Sequence, residues 1–250
     1  MPKISRTRLD KLLLERGVVS SRERAQALIL AGKVLVNEQK IEKAGANVEP
    51  DCAIRLLGED LRYVSRGGLK LEKALHHWQI DVTGRTCLDI GASTGGFTDC
   101  LLQHGAARVI AVDTGQGQIH NRVRQDSKVR LLENTNARYL TREQLGESVD
   151  LIAMDVAFIS ATLVIPAAIA AAFIPASQPR HLIVLVKPQF EVGRQQVGKG
   201  GIVKDPGAQQ FAVDRVRASV EQLHPQSIDV IDSPILGVEG NREFLLHAVF

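Results

Sequence analysis

A chain of 250 residues with 44% hydrophobic and 24% charged side chains can bury a core for one ordinary domain and a small companion. Three cysteines without a CxxC pair exclude a disulfide framework or a thiolate zinc site and fit free, buried thiols in a reducing cytosol, so the protein is expected to be cytoplasmic. A net charge of +3 is a weak argument for a polyanionic partner, no secretory signal is legible, and the longest apolar run, AAIAAAFI at 167–174, is far below the ~20 residues of a membrane span.

The charge is unevenly placed. Residues 1–33 carry eight Lys or Arg against Asp10, Glu15 and Glu23, a local +5 that leaves the remainder slightly acidic. In TRLDKLLLERG the apolar Leu9, Leu12 and Leu13 fall at helical spacing before Gly17, a suitable C-terminal cap. Ser20 or Ser21 opens a second helix that places Ala25, Ala27, Leu28 and Ile29 inward and ends at Gly32. Short strands follow in KVLVNEQKIEKAGANV, with VNEQK as a hairpin turn. The stretch RLDKLLLERGVVSSRERAQALILAGKVLVN, 8–37, resembles the S-four RNA-binding domain. That resemblance implies that residues 1–60 form a small α+β RNA-binding domain with Arg6, Arg8, Arg22, Arg24 and Lys33 on one face toward phosphate.

Residues 61–83 are expected as a linker and the first helix of a second domain, 84–250. There the texture becomes alternating strands and helices: TCLDIG, RVIAVD, VRLLEN, DLIAMDV and HLIVLVK are near-continuous apolar runs of the kind buried in a parallel sheet. SIDVIDS and EFLLHAVF close the chain as an antiparallel edge pair. Seven strands ending this way predict an α/β class, the Rossmann-like seven-stranded methyltransferase fold. GASTGGF at 91–97 follows a strand and opens a helix, so its peptide N–H groups can approach a nucleotide closely. Asp113 ends the next strand, where a carboxylate can accept both hydroxyls of a ribose. The pattern is shared by NAD and S-adenosylmethionine sites, although the GxxxGG spacing departs from the GxGxxG of a dehydrogenase. Strand ends at the switch point of such a sheet add Asn134, Asn136, Asp155 and Lys187, and Asp155, ending an apolar strand, should meet a cation.

Several rarer motifs occur in order: VSRGGLKLEKAL (64–75), LDIGASTGGFT (88–98), TGQGQ (114–118), ENTNAR (133–138), DVAFIS (155–160), LVKPQFEVG (185–193) and GNREF (240–244). With them the chain resembles, over nearly its full length, the TlyA family of ribosomal RNA cytidine 2′-O-methyltransferases, also called hemolysin A proteins, with an FtsJ-like catalytic domain. Ala157 stands where that family usually has serine. The resemblance implies a catalytic tetrad of Lys70, Asp155, Lys187 and Glu243, S-adenosylmethionine as cofactor, and 16S or 23S rRNA, or both, within ribosomal subunits as substrate. Cofactor contacts are expected from Asp89, Gly91, Ala92, Ser93, Thr94, Gly95, Gly96, Phe97, Asp113, Asn136 and Asp155, and Arg66 joins the RNA-binding set. A ribose hydroxyl is a poor nucleophile that must be aligned with the methyl sulfonium and relieved of its proton. Lys187 is read as orienting group and base, Asp155 and Glu243 as holding the lysines, and Lys70 as steering the RNA.

No metal is required, because no His or Cys residues recur at ligand spacing and His76 and His77 are neighbours on a helix surface. The glycine-rich stretch 190–206 is expected as a mobile lid, and Tyr63, Phe158 and Phe190 as base-stacking candidates. A non-catalytic RNA-binding assembly factor would lack a tetrad residue, and a pore-forming hemolysin would need a membrane-active segment. A dehydrogenase would retain NAD rather than S-adenosylmethionine.

Overall fold

The computed structural model describes residues 6–19, 21–57, 62–174, 179–237 and 240–250. Parts of the expected N-terminal domain at 1–5, 20 and 58–60 lie outside them. The chain divides into two compact units, Met1–Leu61 and Arg62–Phe250.

In the first unit, β1 (Thr7–Arg8) leads into α1 (Leu9–Glu15) and then α2 (Arg22–Leu30). Gly17 at φ +66° ends α1 in the left-handed region, and the Ser21 hydroxyl caps α2 by accepting from the Arg24 N–H at 3.1 Å. β2 (Val34–Val36) and β3 (Gln39–Lys40) form the expected hairpin, turning at Asn37 and Glu38, both at positive φ. β4 (Asn47–Val48) pairs with β1, and β5 (Ile54–Leu56) pairs with β2. Leu9, Leu12, Leu13, Ala25, Leu28 and Ile29 close a core beneath the small sheet.

One buried acid lies beneath the basic residues. Asp10 is fully buried and its carboxylate accepts from Arg8, from Arg22 Nε at 2.9 Å and from Gln26 Nε2 at 2.9 Å. The Arg8 guanidinium, ahead of its other partners, holds that carboxyl well below the usual carboxylate range. A buried carboxylate demands such partners, so Arg8 and Arg22 divide their charge between Asp10 and solvent instead of forming an unopposed phosphate face. Arg6 and Lys33 are exposed.

The second unit opens with α3 (Gly67–His77) and then alternates: β6 (Thr86–Ile90), α4 (Gly96–Gln103), β7 (Arg108–Val112), α5 (Asn121–Arg124), β8 (Val129–Leu132), α6 (Arg142–Leu145), β9 (Leu151–Met154), α7 (Ile165–Ala172) and β10 (His181–Val186). α8 (Pro188–Glu191), α9 (Pro206–Glu221), β11 (Ser227–Asp232) and β12 (Phe244–Val249) complete it. The seven strands run in the order β11-β12-β10-β9-β6-β7-β8, parallel from β10 to β8, with β12 antiparallel to both neighbours. The closing pair differs from the expected edge pair in one respect. β12 is an inner strand, buried from Leu245 to Ala248, whereas of the two β11 alone is an edge and largely alternates in exposure. Period-two alternation splits the core: Leu88, Ile110, Ile152 and Val184 face α7 and α9, while Cys87, Val109, Leu151 and Ile183 face α3 and α4.

Among the described residues no helix is long and apolar enough to cross a membrane, and the 167–174 run lies in and just after the short α7. All three cysteines are buried free thiols, and burial pushes those of Cys87 and Cys100 up to about 12.

At the far end of the sheet His181 Nδ1 and His247 Nε2 face each other at 3.0 Å, an arrangement with room for one proton between them. Burial, then His181, holds His247 down to about 4, against the favourable pull of Asp229. A base whose pKa is depressed on folding stabilises the folded chain fully above its ordinary 6.5 and loses that contribution as pH falls toward 4. We therefore expect thermal unfolding to show an acid loss on the order of 2 kcal/mol across that window, largely absent from His247→Leu. Superimposable pH profiles of the two proteins would refute this.

Candidate active site

The C-terminal ends of β6, β7, β9 and β10 open onto two adjoining cavities of about 470 and 310 Å³ that share Gly91, Ser93, Asp155 and Ala157 in their walls. The glycine loop is shaped by its backbone: Gly91, Ser93 and Gly95 all have positive φ. A Cβ on Gly91 would lie 2.4 Å from the Asp155 carbonyl, so only glycine lets β6 leave the sheet this close to the end of β9. At Gly96 the same atom would meet the Ser65 hydroxyl, which brings the segment preceding α3 against the loop.

Asp113 organises the larger cavity. Its carboxylate accepts from the Ser93 N–H at 2.8 Å and the Gly115 N–H at 2.7 Å, tying the glycine loop to the turn after β7. Asn136 lines the same cavity and caps the following turn through the Arg138 N–H. Ile90, Val112, Ile159 and Val164 supply an apolar wall.

The smaller cavity gathers four charged side chains from four elements. Lys70 of α3 reaches Glu243, just before β12, with Nζ 2.5 Å from Oε2. Lys187, after β10, stands 2.6 Å from Asp155 Oδ1, after β9, a contact that rests on charge and not on hydrogen-bond alignment. The expected cation for Asp155 is thus Lys187. Exposures of 10% and 3% for Lys70 and Glu243, against 15% and 21% for Lys187 and Asp155, make the first pair the more deeply buried. Arg66, Ala92, Thr94, Gly96 and Phe97 share this wall.

Two expected contacts fall elsewhere. Asp89 is fully buried on the α4 side of the sheet, accepts from the Thr98 hydroxyl at 2.6 Å, and lines neither cavity. Burial pushes its carboxyl up to about 7, and its other oxygen has no partner. Gly95 lies against Val123, also outside both linings. Both support the loop from beneath, because alternation along β6 turns Asp89 away from the face that Ile90 shares with the cavity.

The aromatic candidates separate. Tyr63 is 2% exposed and packs on Gly68, where a Cβ would lie 2.3 Å from its ring, so it is a core residue unable to stack on a base. Phe158 is 93% exposed at the rim, held at φ +64°, with its ring 5.5 Å from that of Phe190.

Two residues not expected from the sequence, Glu191 and Asn241, fasten the surrounding loops. Glu191 is 2% exposed, and its carboxylate accepts from the Ala161 N–H at 2.7 Å and the Ser160 hydroxyl at 2.5 Å. It joins the segment after Lys187 to the loop after Asp155. Asn241 accepts from the Val203 N–H at 2.9 Å and donates to the Gly201 carbonyl at 2.8 Å. The stretch expected as a mobile lid, 190–206, is therefore fastened near both ends. A carboxylate inside the apolar context of LVKPQFEVG was the available signal for Glu191.

A parallel sheet with an antiparallel strand inserted beside its edge, a glycine loop after the first strand and an acid after the second define a Rossmann-like methyltransferase. Residues 63–250 match the FtsJ-like methyltransferase family and residues 7–51 the S4 domain. The 16S/23S rRNA (cytidine-2′-O)-methyltransferase TlyA of Mycobacterium tuberculosis is 44% identical over 242 residues, 96% of this chain and 89% of that protein. Hemolysin A of Brachyspira hyodysenteriae is 37% identical, covering 97% and 99% of the two chains. A solved structure from Streptococcus thermophilus that carries the hemolysin name aligns with a TM-score of 0.73 at 39% identity, covering 98% of this chain and 89% of that one. The chain belongs to the TlyA family of FtsJ-like methyltransferases, with an S4 domain at its N-terminus.

Proposed function

We propose that this protein methylates the 2′-hydroxyl of a cytidine in ribosomal RNA with S-adenosylmethionine as donor, acting on ribosomal subunits in the cytosol. The observation that carries the reading is the meeting of Lys70, Asp155, Lys187 and Glu243 at the wall of a cavity continuous with the glycine loop. S-adenosylmethionine, when bound, supplies an electrophilic methyl on a sulfonium.

The residues present fit that group. Each oxygen of Asp113 already takes one backbone N–H and keeps a lone pair for a ribose hydroxyl, while the apolar wall of the larger cavity suits a purine. Ser93 and Asn136 add polar contacts there, and Gly91 leaves room for a close approach. Across the shared wall, Lys187, once it has released its resting proton to solvent, orients the ribose hydroxyl as a neutral amine and takes its proton as attack proceeds, with Asp155 opposite the ammonium that re-forms. Glu243 holds Lys70, which with Arg66 faces the RNA backbone. Phe158 and Phe190 offer a stacking surface for the target base. The S4 unit contributes phosphate contacts through Arg6, Arg24 and Lys33, and also through Arg8 and Arg22, whose charge Asp10 shares.

Mapping 2′-O-methyl nucleotides in rRNA from cells with and without the gene tests the reading: a cytidine modified only when the gene is present supports it, and identical maps reject it. Removing residues 1–60 should leave cofactor affinity near normal, weaken rRNA binding, and flatten its salt dependence by about one unit of slope per lost phosphate contact. Full-length behaviour from the truncated chain would remove the S4 unit from RNA recognition. Asp113→Ala should weaken S-adenosylmethionine binding by about 1.5–3 kcal/mol in calorimetry, since it removes the ribose acceptor and leaves the Ser93 and Gly115 N–H groups unpaired. Unchanged affinity would place the cofactor elsewhere.

A further inference from the structure

Away from both cavities, α3 and α4 bring together three side chains with metal-ligating atoms. Glu72 and His76 lie four residues apart on α3 and so share one face, and His104 immediately follows α4. One ligand atom from each lies within 4.8 Å of the other two, and the imidazole rings meet edge-on with centroids 5.8 Å apart. The outer contacts already fix which atoms are available. His104 Nδ1 is 2.9 Å from the Cys100 carbonyl, which can only accept, so Nδ1 carries the proton and Nε2 keeps its lone pair. Arg62 donates to Oε1 of Glu72. A carbonyl behind a ligating imidazole and a donor behind a ligating carboxylate are the contacts that orient metal ligands. His76 is exposed and opens the group to solvent, while Glu72 and His104 are half-buried.

We propose that Glu72, His76 and His104 form a binding site for a divalent cation of the zinc class, with three protein ligands and a fourth position for water. Two imidazoles and one carboxylate suit Zn²⁺ and its neighbours in the series better than Mg²⁺ or Ca²⁺, which prefer oxygen donors. Tetrahedral zinc holds its ligand atoms ~3.3 Å apart, so the three atoms would have to close from their separation of up to 4.8 Å. The site is separate from the methyl-transfer chemistry. A bound cation would clamp α3, which carries Lys70, to α4, which begins in the glycine loop, and would stabilise the fold by mass action.

The test is calorimetric titration of the full chain with Zn²⁺, paralleled by visible absorption with Co²⁺ as a report of coordination geometry. One ion per chain, a tetrahedral Co²⁺ spectrum and a melting temperature that rises with Zn²⁺ are expected. His76→Ala and His104→Ala should each weaken binding at least tenfold, whereas His77→Ala, an exposed neighbour outside the group, should not. His76 is exposed, so its replacement leaves the apo fold intact. The proposal is overturned by no binding, by affinity indifferent to His76 and His104, or by an equal loss in His77→Ala. Cofactor binding measured on the same samples reports separately on the methyltransferase reading.

Discussion

Lys187→Ala should lower methyl transfer by roughly 10²–10⁴, the range for losing a positioned acid or base, while S-adenosylmethionine affinity and melting temperature change little. The side chain lines the smaller cavity and touches the ribose hydroxyl in the proposed complex, whereas Asp113 and Asn136, proposed to hold the cofactor's ribose and base, line the larger one. Its partner Asp155 is 21% exposed, so loss of the ammonium leaves a carboxylate that water can reach. Lys187→Arg should not restore activity, because a guanidinium keeps its proton and its planar fork does not match a site built for one ammonium. Single-turnover kinetics on rRNA, with cofactor binding measured separately, distinguishes the step lost. Near wild-type turnover by Lys187→Ala would end the tetrad mechanism even though the fold stands.

Glu243→Ala should be the most destabilising change in the site. It leaves Lys70, 10% exposed, without its counter-charge, and breaking a buried pair from one side costs about 3 kcal/mol or more. For a unit of this size that is roughly 6–12 °C in melting temperature. Asp155→Ala should be worse than Lys187→Ala for both activity and stability, since it leaves a lysine without its counter-charge. Burial puts Glu243→Ala above both, because Asp155 and Lys187 are the more exposed pair while Glu243 is covered by the turn at Gly237, where a Cβ would lie 2.5 Å from Glu243 Oε1. Replacing both partners, Lys70→Met with Glu243→Leu, should recover most of the stability and none of the activity. If Glu243→Ala melts like the wild type, the pair is not buried in solution, and the assignment of Glu243 as the residue that holds Lys70 fails.

Much of the architecture was legible because its signals are local. The apolar runs that became β6 to β10 lie mostly within the sheet's two covered faces, and a strand covered on both sides cannot hide its composition. Gly17, Ser21, Gly91 and Gly95 act through their own backbone or hydroxyl, so their roles can be read from one position and its neighbours. The motifs around Lys70, Asp155, Lys187 and Glu243 are local in the same way, and the fold brings these four charged residues to one cavity.

Which segments are strands and helices, where the glycine loop falls and which family the motifs resemble can all be read along the chain. Period, turn chemistry and motif are properties of residues close together in the chain. Folding in three dimensions settles which lysine meets which acid, that β12 runs inside the sheet, that Asp10 lies beneath the basic residues, and that Tyr63 is core. It also brings Glu72, His76 and His104 to one spot. Pairing and burial depend on residues far apart in sequence, and the free energy of a charge or a ring is set by the neighbours that exclude water from it.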